Sequence, residues 1–126
     1  MKQLAIRSVS ALATIAIVGL ALVPLAVAHT DRQTRSTATT VQVKGGEFFF
    51  KLSTKSVASP GKVTFVFRNT GHILHDFSIN GKKTPLTSPG KTATLVVTFK
   101  KKGKFTYICT VPGHAAAGMK GVFTVR

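Results

Sequence analysis

Apolar and polar residues alternate along most of the chain beyond Thr39. Val41-Gln42-Val43 alternates and stops at Gly45-Gly46, and Glu47 to Leu52 follows with Phe48, Phe50 and Leu52 on one face. Lys62 to Arg68 sets Val63, Phe65 and Phe67 against Thr64, Val66 and Arg68. His75, Phe77 and Ile79 share a face of the next run, with Asp76 and Ser78 opposite. Thr92 to Phe99 turns Leu95, Val97 and Phe99 to one side, Phe105, Tyr107 and Cys109 share a face, and Gly121 to Arg126 ends the series. A period of two sends successive side chains to opposite faces of a strand. Ser59-Pro60-Gly61, Asn69-Thr70-Gly71, Asn80-Gly81, Ser88-Pro89-Gly90 and Lys102-Gly103 supply turn chemistry between the runs. The pattern predicts an all-β fold over residues 41–126, an antiparallel sandwich or barrel, with no helical period in it. Lys100, Lys101, Lys102 and Lys104 read as a solvated cluster at a hairpin turn that protects a sheet edge.

The amino-terminal part follows another pattern. Lys2 and Arg7 precede a 21-residue uncharged run, Ser8 to Ala28, which closes on Ala26-Val27-Ala28. A basic start, an apolar middle and a small-x-small end make a secretory signal peptide, residues 1–28. The run is also long enough to span a bilayer, so an uncleaved anchor is the alternative; Pro24 and the Ala-x-Ala end favour cleavage. It contains no cysteine, which excludes a lipidated cysteine there. Residues 29–40 are polar and Thr-rich and read as a flexible spacer. Cleavage after Ala28 makes His29 the amino terminus, where amine and ring together could chelate copper; an incidental tail residue is the plainer reading.

Composition narrows the class. With 126 residues the chain has room for one domain, and its single cysteine excludes an intramolecular disulfide framework. Eighteen Lys+Arg against three Asp+Glu give a formal charge of +15. Loss of residues 1–28 removes Lys2 and Arg7 and leaves +13. Such a surplus suits an anionic partner. An export signal and the lack of interleaved aromatic and basic residues argue against nucleic acid.

The chemistry concentrates in Cys109-Thr-Val-Pro-Gly-His114-Ala-Ala-Ala-Gly-Met119, with His75 upstream on a separate strand. One thiolate, two imidazoles and one thioether form a soft donor set, and a trigonal His₂Cys site with a long axial Met is the blue-copper arrangement. Pro112-Gly113 and Gly118 let the loop fold back so that its three donors reach one ion. Singly, each residue has a blander reading: a buried small hydrophobe, a satisfied core histidine, a packing methionine. The four together, in this order, point to one copper ion cycling between Cu(I) and Cu(II). Zinc fits Cys and His, but thioether is a poor zinc ligand and no catalytic carboxylate is in evidence. His72 is the rival to His75.

On these residues the chain, from about Val41 to Arg126, resembles the cupredoxins, the small blue-copper electron carriers, and the resemblance implies an all-β Greek-key β-sandwich. Cys109-Thr-Val-Pro-Gly-His114 is similar to the azurin and rusticyanin type of loop, and the step from His114 to Met119 is more like rusticyanin. The resemblance implies His75, Cys109 and His114 as equatorial ligands, Met119 as axial ligand, and the His114 ring edge as the electron port. It departs from many cupredoxins in having Asp76, rather than Asn or Ser, after the upstream histidine. Asp76 is expected either to hydrogen-bond Thr110 and tie the two ligand loops together, or to point to solvent as its strand parity permits.

The resulting expectation is an exported one-electron carrier, periplasmic or on the outer face of the envelope, monomeric and not an enzyme. Pro112, Gly113 and Ala115 to Ala117 would form an uncharged docking surface for a redox partner, with lysines around it steering an anionic one. Membrane or envelope association is a further possibility that the charge allows. The alternative function is a copper carrier or store that delivers the ion to a cuproenzyme such as an oxidase.

Overall fold

The computed structural model describes residues 38–126, so the expected signal peptide, its cleavage site and His29 lie outside the described residues. The strands are β1 (Thr39–Gly46), β2 (Phe49–Leu52), β3 (Ser56–Val57), β4 (Gly61–Asn69), β5 (Ser78–Ile79), β6 (Lys82–Lys83), β7 (Thr92–Phe99), β8 (Gly103–Ile108) and β9 (Lys120–Val125). They form two sheets, in the orders β2-β1-β4-β7 and β3-β9-β8-β5-β6. β1 takes in Thr39 and Thr40, two residues assigned above to the spacer.

The alternating runs set the core. Val41, Val43, Val63, Phe65, Phe67, Leu95, Val97 and Phe99 from the first sheet meet Ile79, Tyr107, Phe123 and Val125 from the second, all buried, with Phe77 between them. Its aromatic rings touch mostly edge to face or tilted; Phe65 alone lies 5.2 Å from both Phe77 and Phe123, centroid to centroid. Each fully buried Phe contributes about 1.5–3 kcal/mol through removal from water, and edge contacts add to this.

The sandwich is not wholly antiparallel. β1 runs parallel to β4 and β3 parallel to β9; neither pair is joined by a hairpin, and period-two alternation alone could not assign direction. Three local expectations also change. Phe48 does not share the inward face of Phe50 and Leu52: β2 starts at Phe49, and Phe48 sits in the β1–β2 turn, 39% exposed. Lys100 to Lys102 do not make a hairpin, since β7 and β8 belong to different sheets and the connection crosses between them. Last, the regular strand holds only Ser78 and Ile79; His75, Asp76 and Phe77 precede it in a covered segment and are all fully buried. The chain from Thr84 to Thr87 closes over them: the amide of Phe77 donates to the Thr84 hydroxyl oxygen (3.0 Å), and His75 and Thr87 exchange backbone bonds of 3.3 and 2.8 Å. Asn80 and Gly81, both at positive φ (51° and 74°), close the two-residue hairpin between β5 and β6, the backbone that an Asn-Gly pair favours.

Candidate metal centre

Strand β8 ends at Ile108 and delivers Cys109 to one end of the sandwich. The chain then turns on itself: the amide of His114 donates to the carbonyl of Val111 (3.1 Å) and that of Ala117 to Gly113 (2.9 Å). Met119 closes the loop, its amide donating to the carbonyl of His114 (3.0 Å) and its carbonyl accepting from Cys109 (3.0 Å). Met119 is fully buried, and its methyl packs against Gly45, where an added Cβ would come within 3.0 Å of it. Gly45 is therefore a close-approach glycine, the absence of a side chain making room for Met119, Phe50 and Phe67.

His75 arrives from the other side of the site. Its segment hangs on Asn69, the buried last residue of β4, whose side-chain amide donates to the carbonyls of Ile73 (2.8 Å) and Thr87 (2.7 Å) while its oxygen accepts from the amide of Gly71 (2.9 Å). Thr87 in turn pairs with His75. Asp76 is buried too. It accepts from the Thr110 amide (2.6 Å) and from the Thr110 hydroxyl, with Lys83 3.9 Å away. The solvent-facing alternative for Asp76 is thereby overturned: with residues 84–87 packed over the segment, strand parity does not apply. The two ligand loops are tied through this carboxylate.

His75, Cys109 and His114 converge, their donor atoms all within 4.8 Å of one another. His75 Nδ1 lies 3.1 Å from His114 Nδ1, and Cys109 Sγ lies 4.0 and 3.6 Å from the two. Bonds of about 2.0–2.3 Å to one ion, meeting at roughly 120°, place such donors about 3.5–3.8 Å apart, so the spacing fits a single soft ion with little movement. All three are buried, His114 being the one that retains 8% exposure. His72 is not among them: its side chain is 95% exposed and lies by Glu47.

Glu47 was not singled out from the sequence. Its Oε1 accepts from the amides of His72 (2.7 Å) and Ile73 (3.1 Å) and lies 3.1 Å from His75 Nε2. These bonds, the His72 amide foremost, hold its pKa down at about 2. A carboxylate at Nε2 fixes the proton of the ring there, which leaves the Nδ1 lone pair facing Cys109 and His114. Two inward lone pairs and a sulfur form a pocket that a cation completes. Burial pushes the Cys109 thiol up, so in the ion-free protein it keeps its proton until a metal displaces it. The signal for Glu47 in the sequence is faint: it is one of three acidic residues, but it stands 28 positions from His75.

Around His114 the surface is apolar. The Phe48 ring meets His114 edge-on at 5.0 Å, and His72, Ile73, Leu74, Pro89 and Val111 line a shallow hollow that His114 reaches. Ile73 and Leu74 are 44% and 46% exposed. Pro112, Gly113, Ala116 and Ala117 are exposed on the other side of the ring. The uncharged surface is thus wider than the loop alone suggested.

Comparison with known proteins follows the same line. Residues 37–126 match the family described as copper binding proteins, plastocyanin/azurin family. The copper-resistant cuproprotein CopI of Pseudomonas aeruginosa is 25% identical, over 75% of this chain and 80% of that protein. A blue copper protein of Pisum sativum is 29% identical over 84% of this chain and 56% of its own length. Among solved structures, the dithionite-reduced auracyanin of the photosynthetic bacterium Roseiflexus castenholzii superposes with a TM-score of 0.62 at 24% identity, covering 71% of this chain and 98% of that one, and shares its fold.

Proposed function

Since the chain belongs to the plastocyanin/azurin family of copper-binding proteins, we propose that it is an exported one-electron carrier whose copper would be held by His75, Cys109 and His114, with Met119 as the fourth donor. The observation that carries this reading is the buried three-donor cluster with one ring, His114, reaching an apolar surface. Copper in such a set supplies reversible one-electron chemistry. The protein residues do the rest. Asp76, Asn69 and Glu47 fix the two ligand loops, which limits movement between oxidation states. Four protein donors leave no open position for a substrate, in contrast to catalytic metal sites. The apolar rim of Ile73, Leu74 and Phe48 suits a small, transient interface with a redox protein, and surface lysines favour an anionic one.

Copper loading followed by visible and EPR spectroscopy tests the site. An intense thiolate-to-Cu(II) band with narrow hyperfine splitting is expected, and Cys109→Ser should remove the colour while the far-UV spectrum stays that of the sandwich. A colourless protein, EPR-silent under oxidising conditions, would sink the reading. Delivery of copper to a cuproenzyme is the second reading, favoured by the similarity to a protein named for copper resistance. Fast electron self-exchange with inert copper supports the shuttle, and rapid transfer of the ion to an apo-acceptor supports the carrier.

A further inference from the structure

One end of the sandwich carries a dense group of positive charges. Cys109 and the two ligand loops occupy one end. At the other end, Gly61 pairs with Phe99 and Gly103 with Val125, and between them run the β7–β8 crossing and the start of β4. Lys62, Lys100, Lys101, Lys102 and Lys104 all lie there, all exposed. The six residue-to-residue steps from Gly103 to Cys109 put this pole about 20 Å from the metal end.

No acidic side chain among the described residues compensates it. The two acidic side chains among the described residues are Glu47 and Asp76, and both are committed at the metal end. Among the described residues the lysine that approaches a carboxylate is Lys83, on Asp76. Five like charges left together at one pole repel one another and attract an extended anionic surface. The chain also enters the sandwich here, since Thr39 pairs with Val63 at the beginning of β4. Upstream in the sequence lie the uncharged run Ser8 to Ala28 and the charged residues Asp31, Arg32 and Arg35, which together add one positive charge.

We propose that this lysine pole is a docking surface for an anionic lipid bilayer, which it meets with the metal end directed away. Each lysine near an anionic leaflet strengthens binding by roughly fivefold, and the attraction falls off within a Debye length of about 10 Å. The metal end, about two such lengths away, stays clear of the headgroups and open to a redox protein. Retention of the apolar run would hold the pole at the membrane permanently; its removal would leave reversible, salt-dependent binding by the lysines. The inference goes beyond copper chemistry and does not depend on it.

The test uses the chain from His29 onward, which keeps both sheets and the whole core and corresponds to the full length of the auracyanin it superposes on, so apolar insertion cannot contribute. Binding is measured by co-sedimentation with phosphatidylcholine vesicles, with and without about one-third phosphatidylglycerol, at low and high salt. Two variants lose the same charge: Lys100→Gln/Lys101→Gln/Lys102→Gln at the pole, and Lys44→Gln/Lys51→Gln/Arg68→Gln on the outer sheet face, where these three residues lie side by side across β2, β1 and β4. Binding should require phosphatidylglycerol and weaken with salt. It should fall at least tenfold in the pole variant and change less than about threefold in the sheet variant. Equal losses in the two variants would reduce the effect to net charge and overturn the proposal, as would binding indifferent to phosphatidylglycerol. Pole-dependent binding to soluble polyphosphate with none to vesicles would assign the surface to an anionic polymer and overturn the bilayer. Apo and copper-loaded protein should bind alike, so failure here leaves the copper reading standing.

Discussion

At the scale of single residues, Glu47 carries the most consequence for its size. It is the acceptor that determines which nitrogen of His75 faces the site. Replacing an outer partner of a metal-bound histidine commonly costs ten- to a hundredfold in metal affinity. Glu47→Gln is therefore expected to weaken Cu(II) binding by about that much and to raise the reduction potential, because an anion that favours the more highly charged ion is gone. Competition with a chelator and voltammetry would measure the two effects. The same carboxylate gives the apoprotein an acid dependence. Its pKa in the fold is about 2 against an ordinary 4.5. The group is thus charged and bonded throughout the range above 4.5, and its contribution to stability is complete there. It fades as pH falls from 4.5 toward 2, where the folded carboxylate finally takes up its proton. Urea unfolding of the apoprotein between pH 5 and 2 should show this slope, and Glu47→Gln should flatten it.

At the scale of elements, the junction between β4 and the His75 segment decides how firmly the site is held. Asn69 satisfies three backbone groups from a fully buried position. Asn69→Ala takes the donor from the Ile73 carbonyl, one of two donors from the Thr87 carbonyl and the acceptor from the Gly71 amide, and unmade buried bonds cost about 1–3 kcal/mol each. A loss of about 2–4 kcal/mol in chemical unfolding is expected, with faster amide exchange at His75 and Thr87. This junction also marks where sequence reasoning stopped. The long strands β1, β4, β7, β8 and β9 were legible because one face of each is buried, and burial of one face writes itself as a period of two. The Cys109 loop was legible because its donors are neighbours in the chain. The tie from Asp76 to Thr110 was legible only as one of two alternatives, and the place of Phe48 was not legible, because their environments are made by segments far away: residues 84–87 cover one, and the β1–β2 turn carries the other to His114. Glu47 was invisible for the same reason. Parallel pairing of β1 with β4 also left no mark, since side-chain alternation is the same in either direction.

At the scale of the whole molecule, the site and the sandwich stabilise each other. An ion that binds only the folded arrangement adds RT ln(1 + [L]/Kd), so a hundredfold excess over Kd is worth about 2.7 kcal/mol. For a domain of this size a gain of that order raises the melting temperature by about 10 °C or more. Calorimetry should show the rise on copper addition and its full reversal on removing the metal with a chelator; a melting temperature indifferent to copper would mean that the donors do not converge on it.

The separation of the donors along the chain has one more implication. His75 and Cys109 stand 34 residues apart and come from opposite sides of the site. An ion shared by them is a cross-link, and it closes in the unfolded chain a loop that costs about 4 kcal/mol of conformational freedom, as a disulfide of that span would. A chain with a single cysteine thus has a staple after all, and it opens to competition by a chelator or a proton where a disulfide would need a reductant.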